Sequence, residues 1–500
     1  MRPPLSFDPC TPRSMGCAPR SALTPVPLGL VSPAMTEAPI PSADGAPPLA
    51  RLCTEATGRA PRMGVVNGAR LADLPQLRHC DPQERRNIVV VSAVLPFKVN
   101  NYVIDELIDW DAVPDDPLYR LTFPHRDMLP RDMFDTVARL LDSGASRREI
   151  DRVVTAARMR LNPHPGGQLE SNVPVDDELA VNGLQHKYRE TVLIFPAQGQ
   201  TCHAYCGYCF RWAQFVEMPE LHQATRDPAR AAAYLRKAVW VSDVLFTGGD
   251  PLIMSAQVLA RYVEPVLEPA LAHIRNLRFG TKALSFWPHR FLTDRDADDL
   301  LRLFARCVHA GKHVTVMAHF SHPRELETQL VAAAVRRIHS AGVVIRTQAP
   351  VVRHVNDAPQ VWADLWRRAV RLGIVPYYMF VERDTGARRY FALPLARALE
   401  IYRDALASVS GLERTARGPV MSATPGKIVI DGISAIAGSR VFICRFLQAR
   451  NPEWVGVPFF AEYDADAEWF DALRPAFGHE RFPFEDDPVQ DWRQTVGTTV

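Results

Sequence analysis

Three cysteines stand close together in a chain that otherwise spreads its nine cysteines widely. They are Cys202, Cys206 and Cys209, which gives the spacing C-x3-C-x2-C. Thiolates spaced in this way within one loop can converge on a metal centre, because no helix or strand geometry forces them apart. A structural zinc ion, with His203 or a remote residue as its fourth ligand, is one interpretation. Zinc sites usually pair C-x2-C knuckles, and no second pair is present, so a four-iron cluster with one open iron fits the three thiolates better.

A second candidate motif, Thr247-Gly248-Gly249-Asp250-Pro251, directly follows an apolar segment. Glycines at such a point let the backbone approach a ligand closely, and a neighbouring carboxylate can hold an amino group. The same residues also fit a plain strand-to-loop turn that ends in Asp-Pro. Together with the cysteine loop, the motif favours a ligand site.

The elements that must position these motifs alternate between short apolar segments and longer amphipathic ones. The predicted strands are 191–196, 243–247, 274–280, 313–319, 343–347 and 375–381. The predicted helices between them are 228–238, 256–271, 294–310, 323–341 and 360–372. This order predicts an α/β fold with a parallel sheet, and six units suit a partial, TIM-like (βα)6 barrel rather than a closed one of eight. In such folds the chemistry collects at the C-terminal ends of the strands, where both motifs fall.

Four regions are expected along the chain. Residues 1–85 are a proline-rich leader that we expect to be disordered, unless translation starts later, at Met35 or Met63. Residues 86–185 form a mainly helical unit, with an apolar, β-branched stretch at 87–99 and a sharp break at 162–167. The barrel is expected at 186–437. Residues 438–500 form a small C-terminal extension whose aromatic side chains cover the barrel, and which ends near an acidic run at 485–487.

The composition excludes several classes of partner. The 500 residues carry 58 Lys and Arg against 56 Asp and Glu, a formal charge of +2, so no overall field draws the protein to nucleic acid or to an anionic membrane. Anion recognition must therefore be local. No window of eighteen uninterrupted apolar residues occurs, so we expect no membrane span and a cytoplasmic protein.

The cysteine loop and the Gly-Gly-Asp motif together resemble the radical S-adenosylmethionine superfamily, and residues 186–427 resemble its lysine 2,3-aminomutase family. This resemblance implies that the three cysteines hold a 4Fe-4S cluster whose unique iron binds the amino and carboxylate groups of S-adenosyl-L-methionine. Reductive cleavage of that cofactor would give a 5'-deoxyadenosyl radical, with an electron donor such as flavodoxin or ferredoxin. The residues that would surround S-adenosylmethionine are Gly248, Gly249, Asp250, His319 and Gln348.

The resemblance also implies a site for pyridoxal 5'-phosphate. Lys187, in His186-Lys187-Tyr188, resembles the basic residue that helps to hold the phosphate. Lys427 resembles the lysine that binds the cofactor covalently, a role that burial favours by lowering the amine pKa. Arg211, two residues after the third cysteine, resembles the arginine that pairs with the substrate carboxylate. Without the family, Lys187 would be interpreted as a solvated lysine and Lys427 as a surface lysine on a hairpin.

Two departures from the family pattern bear on the substrate and on zinc. Lysine-specific members place two aspartates around the side-chain ammonium group of the substrate. In this sequence the first of these positions is Arg383, unless a one-residue shift in the alignment brings Asp384 there. The second position falls near Met421 or Ser422, and neither residue is acidic. A cation would repel an ammonium group, so free lysine is not the expected substrate and an acidic amino acid such as glutamate is. The C-terminal cysteines that bind zinc in the family are also missing. The family's zinc site therefore gives no indication of the oligomeric state here, and a homo-oligomer stays one possibility.

The expected function is therefore a pyridoxal phosphate-dependent radical amino acid 2,3-aminomutase. Such an isomerase moves the amino group of a small-molecule amino acid to give a β-amino acid. One alternative keeps the cluster and S-adenosylmethionine, drops pyridoxal phosphate and performs another radical reaction. A second alternative is a structural or interaction protein with zinc at the three cysteines.

Overall fold

The chain is represented by a computed structural model that describes residues 61–162, 172–216 and 223–485. The first of these ranges folds into a small unit of helices around a two-stranded pairing. Its elements are β1 (Val65–Asn67), α1 (Pro82–Val94), β2 (Lys98–Asn100), α2 (Pro117–Thr122), α3 (Arg131–Asp142) and α4 (Arg147–Leu161). Strands β1 and β2 pair antiparallel, with Val66 opposite Val99. The expected helical character of this region is thus observed.

This unit begins earlier than expected from the sequence. Strand β1 and two 3-10 turns, Gly68–Asp73 and Pro75–His79, lie in the segment assigned to the leader. Leu71, Leu74 and Leu77 repeat every three residues, the 3-10 period, and all three are buried in the same core as the helices that follow. The predicted boundary at residue 85 is therefore wrong for residues 61–85. The expected disorder of residues 1–60, and most of the predicted break at 162–167, lie outside the described residues.

The apolar, β-branched stretch at 87–99 is largely helical. Helix α1 covers most of it because Pro82 occupies the first turn and the Asp81 side chain accepts a hydrogen bond from the Gln83 amide at 2.9 Å. Burial of Ile88, Val91 and Val94 on one face then outweighs their modest helix propensity.

One large sheet organises the rest of the described chain, after a short pairing of β3 (Val175–Asp176) with β4 (Leu179–Ala180). Its eleven strands are β5 (Leu184–Tyr188), β6 (Thr191–Ile194), β7 (Asp243–Phe246), β8 (Asn276–Thr281), β9 (His313–His319), β10 (Val344–Val351), β11 (Val375–Val381), β12 (Arg417–Ser422), β13 (Gly426–Ile436), β14 (Ser439–Ala449) and β15 (Pro458–Glu462). Neighbours in sequence are neighbours in the sheet. The strands from β6 to β12 are parallel, whereas β5 and the last three pair antiparallel.

All six predicted strands are present, and two of them, β9 and β11, have the predicted bounds. The parallel set has a seventh strand, β12, which the sequence did not lead us to expect. Its Gly418-Pro419 pair is typical of a turn, so the apolar Val420 and Met421 beside it did not indicate a strand.

Eight helices of the described residues cover the sheet; five of them were predicted from the apolar spacing, and those at 283–286, 388–391 and 395–407 were not. They are α5 (Pro228–Lys237), α6 (Ala256–Val263), α7 (Ala283–Phe286), α8 (Ala297–His309), α9 (Gln329–Ser340), α10 (Pro359–Arg371), α11 (Arg388–Phe391) and α12 (Leu395–Ala407). The side chains of Asp227, Ser255 and Thr328 cap α5, α6 and α9. The helix predicted over 256–271 ends at Val263, because prolines at 265 and 269 convert the remainder into 3-10 turns.

The C-terminal region continues the same sheet. The predicted boundary between residues 437 and 438 falls in the turn of the β13–β14 hairpin, so the antiparallel strands extend the parallel sheet without interruption. Aromatic side chains pack there against Val381, Leu395 and Leu399 of the α/β part, which is the covering role expected for them. They include Phe446, Trp454, Phe459, Trp469, Phe470, Phe482 and Phe484. Of the acidic run, Asp486 and Asp487 lie outside the described residues. In the described part of the chain, no helix has the length and apolar character needed to cross a membrane.

Candidate functional site

The predicted site residues collect at one edge of the sheet, where the parallel strands end. The cysteine loop follows β6, the Gly-Gly-Asp motif follows β7, and His319 is the last residue of β9. Arg383 lies two residues after β11, and Lys427 pairs in register with Ser422, the last residue of β12. The carboxyl edge of a parallel sheet is where α/β enzymes place their chemistry.

The three cysteines of the loop are free thiols, each partly exposed at the surface of the described structure. Burial raises the pKa of Cys206 to about 12 and that of Cys209 to about 11. The pKa of Cys202 is raised well above its usual value by burial, then by Asp250, Cys209 and Cys206, so the three sulfurs lie within electrostatic range of one another. Such thiols ionise when metal ions compensate their charge, which makes the loop suited to a metal centre.

Zinc and a four-iron cluster space their sulfur ligands differently. A zinc ion with Zn–S bonds of about 2.3 Å holds its sulfur ligands about 3.8 Å from one another. A four-iron cluster takes one cysteine on each of three irons and spaces the sulfurs more widely. The three cysteines of the loop supply the three thiolates that such a cluster needs, so the residues present fit it.

The Gly-Gly-Asp motif packs directly against the cysteine loop. A side chain on Gly249 would place its Cβ 2.5 Å from the backbone nitrogen and oxygen of Thr201, and Gly248 has a φ of +143° beside the Gln200 side chain. Both glycines are thus required by the contact between the two loops.

Asp250 is already engaged within the protein. Its carboxylate accepts hydrogen bonds from the Leu252 amide at 2.9 Å, from the Thr281 hydroxyl at 2.8 Å and from the Lys282 amide at 2.9 Å. It also lies 3.8 Å from Nδ1 of His203. The structure therefore gives Asp250 a positioning role between β7 and β8, and a ligand amino group would have to share this crowded carboxylate.

His319 and Gln348 lie side by side on β9 and β10. Nε2 of His319 is 3.1 Å from Nε2 of Gln348. Burial, and then the charge of Lys282, lowers the pKa of His319 to about 4. The imidazole is therefore neutral at physiological pH and offers hydrogen bonds rather than charge.

Lys427 is turned inward, between aromatic rings. Its Nζ donates to Oε1 of Gln448 at 3.0 Å and lies 5.0 Å from the ring centre of Tyr378 and 5.6 Å from that of Tyr188. Burial, followed by the charge of Arg278, lowers the pKa of Lys427 to about 7. A large fraction of this amine is therefore an uncharged nucleophile at neutral pH. The interpretation of Lys427 as a surface lysine is wrong.

Lys187 lies beside a second cation that the sequence did not indicate. Its Nζ donates to the Ala423 carbonyl, and Nε of Arg450 donates to the next carbonyl, Thr424, at 2.9 Å. Burial, and then the charges of Arg450, Arg383 and Lys427, lower the pKa of Lys187 far below its usual value. Cations held together in this way create a strong local site for an anion.

Arg211 and Arg383 form the other cationic part of the site. The Arg211 guanidinium stacks 4.4 Å from the ring centre of Phe195 and 5.0 Å from that of Phe210, and burial lowers its pKa to about 10. The Arg383 guanidinium lies 5.6 Å from the rings of both Phe210 and Trp469, and its buried Nε has no hydrogen-bond partner among the described residues. The three interior cations predicted from the sequence are thus brought together.

Several residues near the site carried no recognisable sequence signal. Both carboxyl oxygens of Glu382 are buried without a hydrogen-bond partner in the described structure, and burial raises its pKa well above the usual range. Lys282 pairs with the buried Glu325, and Lys98 reaches the cysteine loop from the N-terminal unit. Only the fold brings these side chains together, because they come from segments far apart in the chain.

Several curated proteins are similar to this chain, although no model of a protein family matches it. One, named "Putative L-lysine 2,3-aminomutase", of Aquifex aeolicus (strain VF5), is 29% identical over 401 residues, covering 80% of this chain and 94% of that protein. The L-lysine 2,3-aminomutase of Clostridium subterminale is 25% identical over 272 residues, covering 54% of this chain and 62% of that protein. That of Escherichia coli (strain K12) is 28% identical over 242 residues, covering 48% and 66%.

Solved structures are more distant. A radical SAM methyltransferase from Sphaerobacter thermophilus matches 54% of this chain and 89% of its own, with 15% identity and a TM-score of 0.33. Streptococcus suis SuiB bound to its precursor peptide SuiA matches 53% of each chain with 13% identity and a TM-score of 0.32. Such TM-scores are too low to support a structural argument.

Proposed function

We propose that this chain, which is similar to L-lysine 2,3-aminomutases, is a pyridoxal phosphate-dependent radical S-adenosylmethionine amino acid 2,3-aminomutase. The observation that carries the proposal is the position of Lys427. An inward-facing lysine with a pKa of about 7 lies at the same sheet edge as the three-cysteine loop and next to a cluster of cations. We further propose that the seven parallel strands curve as the partial barrel of this superfamily.

The residues present fit the three cofactors that the proposal requires. Cys202, Cys206 and Cys209 would hold the cluster, the glycine loop with His319 and Gln348 would line the S-adenosylmethionine site, and Lys427 would bind pyridoxal phosphate. When bound, the cluster and S-adenosylmethionine supply a carbon radical, and pyridoxal phosphate supplies a π system through which an amino group can migrate. Arg450 would provide positive charge for the phosphate, and Lys187, beside it, would donate a hydrogen bond.

The side chains of this chain would bind and orient the substrate. Arg211, whose planar guanidinium is fixed between two aromatic rings, would hold the α-carboxylate in a bidentate geometry. The neutral amine of Lys427 would exchange with the substrate amino group, accepting and releasing a proton at Nζ. The buried walls formed by Tyr188, Tyr378 and Phe195 would exclude water from the reacting carbon atoms.

We propose that the substrate carries an acidic side chain. Arg383 presents a buried Nε with no hydrogen-bond partner in the described structure, and neither Met421 nor Ser422, near the second aspartate position of lysine-specific relatives, is acidic. Of the neighbouring acids, Glu382 has a raised pKa that favours its uncharged form, and Asp384 acts electrostatically on Arg383. A carboxylate such as that of glutamate therefore matches this end of the site better than the ammonium group of lysine does.

The decisive experiment is anaerobic incubation of reconstituted protein with dithionite, S-adenosylmethionine, pyridoxal phosphate and a panel of amino acids. We expect a β-amino acid product from an acidic substrate and little or none from lysine. Lys427→Ala and Lys427→Arg should both lose the pyridoxal absorbance and the product while retaining iron. Retained absorbance in both variants would show that Lys427 does not bind the cofactor. Cleavage of S-adenosylmethionine to 5'-deoxyadenosine without any binding of pyridoxal phosphate would select the alternative radical reaction.

A further inference from the structure

The cysteine loop is held by a strand that belongs to a different part of the chain. Strand β2, Lys98–Asn100 of the N-terminal unit, runs along it: the Lys98 carbonyl accepts from the Tyr205 amide at 2.8 Å, and Nδ2 of Asn100 donates to the His203 carbonyl at 3.2 Å. These bonds fix the position of the Lys98 side chain relative to the loop.

The Lys98 ammonium group points into the loop. Its Nζ donates to Oγ1 of Thr201 at 3.0 Å, Thr201 hydrogen bonds in turn to the Tyr205 hydroxyl at 3.0 Å, and Nζ lies 5.6 Å from the Tyr205 ring centre. Thr201 directly precedes the first cysteine, Cys202. Among the described residues, Cys202 is the titratable group whose charge acts on Lys98, and no carboxylate forms an ion pair with it.

The other cation near the loop differs in this respect. Lys282 acts on Cys206, but it forms an ion pair with Glu325, whose side chain is fully buried, so its charge is largely cancelled. Lys98 is half-buried and has no ion-pair partner among the described residues, so water screens its charge less than that of an exposed lysine. A charge in such a place acts on its neighbours more strongly than one at the surface.

We propose that Lys98 is a positioning residue for the iron–sulfur cluster, which places a fixed positive charge beside Cys202 and so makes the cluster easier to reduce. The inference rests on the proposed function only in requiring that the three cysteines bind a cluster. The step it concerns is the gain of one electron by the oxidised cluster from a one-electron reductant such as dithionite. No bond forms or breaks in that step, and Lys98 keeps its proton. A neighbouring cation stabilises the added negative charge, so its removal disfavours the reduced form.

The test is the reduction of the cluster in the full chain, without S-adenosylmethionine, pyridoxal phosphate or substrate. Lys98→Gln removes the charge and keeps a hydrogen-bond donor for Thr201, whereas Lys98→Arg keeps the charge. Redox titration, followed by electron paramagnetic resonance, should show that the ratio of reduced to oxidised cluster at a fixed potential is about tenfold lower in Lys98→Gln than in the parent. For a one-electron couple this corresponds to a reduction potential that is lower by about 59 mV. Lys98→Arg should stay within about twofold of the parent.

Two further variants separate charge from packing. Lys312 is another buried lysine. It directly precedes β9, at the amino ends of the parallel strands, and donates hydrogen bonds to the Leu271 and Ile274 carbonyls. Lys312→Gln should therefore leave the reduced-to-oxidised ratio of the cluster unchanged. Thr201→Val removes the hydrogen bond and keeps the charge, so it should change the ratio less than Lys98→Gln does. An unchanged ratio in Lys98→Gln, or an equal change in Thr201→Val, would overturn the proposal.

Cluster assembly provides a second readout. If Lys98→Gln binds no iron while Lys98→Arg and Thr201→Val do, the loop requires the charge itself, which supports the proposal. Loss of iron in Thr201→Val as well would assign the effect to the hydrogen bond and overturn it. Failure of the parent protein to bind iron would instead contradict the proposed function, so the two failures are distinguishable.

Discussion

At the scale of single residues, the site combines a nucleophilic lysine, Lys427, with several buried or half-buried cations. Lys427 owes its lowered pKa mainly to burial and then to Arg278, which lies on β8 and is itself paired with Asp243. The local environment, and not the residue type, makes this lysine chemically distinct from the exposed Lys237.

The first prediction concerns the pH dependence of cofactor attachment. With a pKa of about 7, the uncharged fraction of Lys427 rises from about 10% at pH 6 to about 90% at pH 8, so the rate of covalent attachment of pyridoxal phosphate should rise across that window. Stopped-flow absorbance measurements at constant ionic strength would follow it. A rate that keeps rising up to pH 10 would mean that Lys427 has the pKa of an exposed lysine.

The second prediction concerns substrate choice. Arg383→Ala should lower kcat/KM for an acidic amino acid by about 10- to 100-fold, because it removes charge-assisted hydrogen bonds that contribute about 1.5–3 kcal/mol. Arg389→Ala, which changes an exposed arginine on α11, is the matched control and should have little effect. Equal losses in the two variants would argue against a contact between Arg383 and the substrate.

At the scale of elements, the loops at the sheet edge support one another. The glycine loop after β7 lies so close to the cysteine loop after β6 that no side chain fits at Gly249. The spacing of the cysteines and the two glycines is visible in the sequence, but the contact between the loops is not, because it depends on the parallel pairing of β6 with β7.

This contact leads to a third prediction. Gly249→Ala should displace the cysteine loop, since its Cβ would meet the Thr201 backbone at 2.5 Å, and should reduce the iron bound per chain to less than about half. Gly411→Ala, where the structure leaves open space around the Cβ and φ is ordinary, should bind iron as the parent does. Normal iron content in Gly249→Ala would show that the loop can shift without loss of the cluster ligands.

The elements also show where prediction from sequence succeeds and where it stops. Strands β9 and β11 were predictable because they are short, mainly apolar segments between amphipathic helices, whereas β12 was hidden by its Gly-Pro pair. The cysteines, the glycine loop and the placement of Lys427 at the strand ends follow from local motifs. Lys98, Arg450 and Glu382 could not be predicted, because their roles depend on contacts between segments separated by many residues.

At the scale of the whole molecule, the N-terminal unit and the sheet share one interior. Asn100 is fully buried between them: it donates to the Phe286 carbonyl at 2.9 Å and to the His203 carbonyl, and its side-chain oxygen accepts from the Val103 amide at 3.0 Å. Tyr102 and Thr328 add a hydroxyl contact at 2.8 Å across the same junction.

A fourth prediction follows from this junction. Asn100→Ala should lower the free energy of unfolding by about 2–3 kcal/mol, because it leaves buried backbone groups without partners. Asn101→Ala, a neighbouring change at a partly exposed position, should cost less than about 1 kcal/mol. Denaturant titration of the iron-free protein would compare them, and equal costs would mean that the junction is not held by Asn100.

The contact between Arg383 and Trp469 has an evolutionary consequence. Trp469 belongs to the C-terminal aromatic core, far from the cysteine loop in sequence, yet its ring forms one side of the space around the Arg383 guanidinium. If Arg383 contacts the substrate as proposed, changes in this last portion of the chain would alter which amino acid is accepted and leave the cysteine loop intact. Among descendants of one ancestor, substrate preference and radical generation can therefore diverge at different rates. A chimera that takes only its C-terminal portion from a lysine-acting relative should acquire a new substrate preference without losing the cleavage of S-adenosylmethionine.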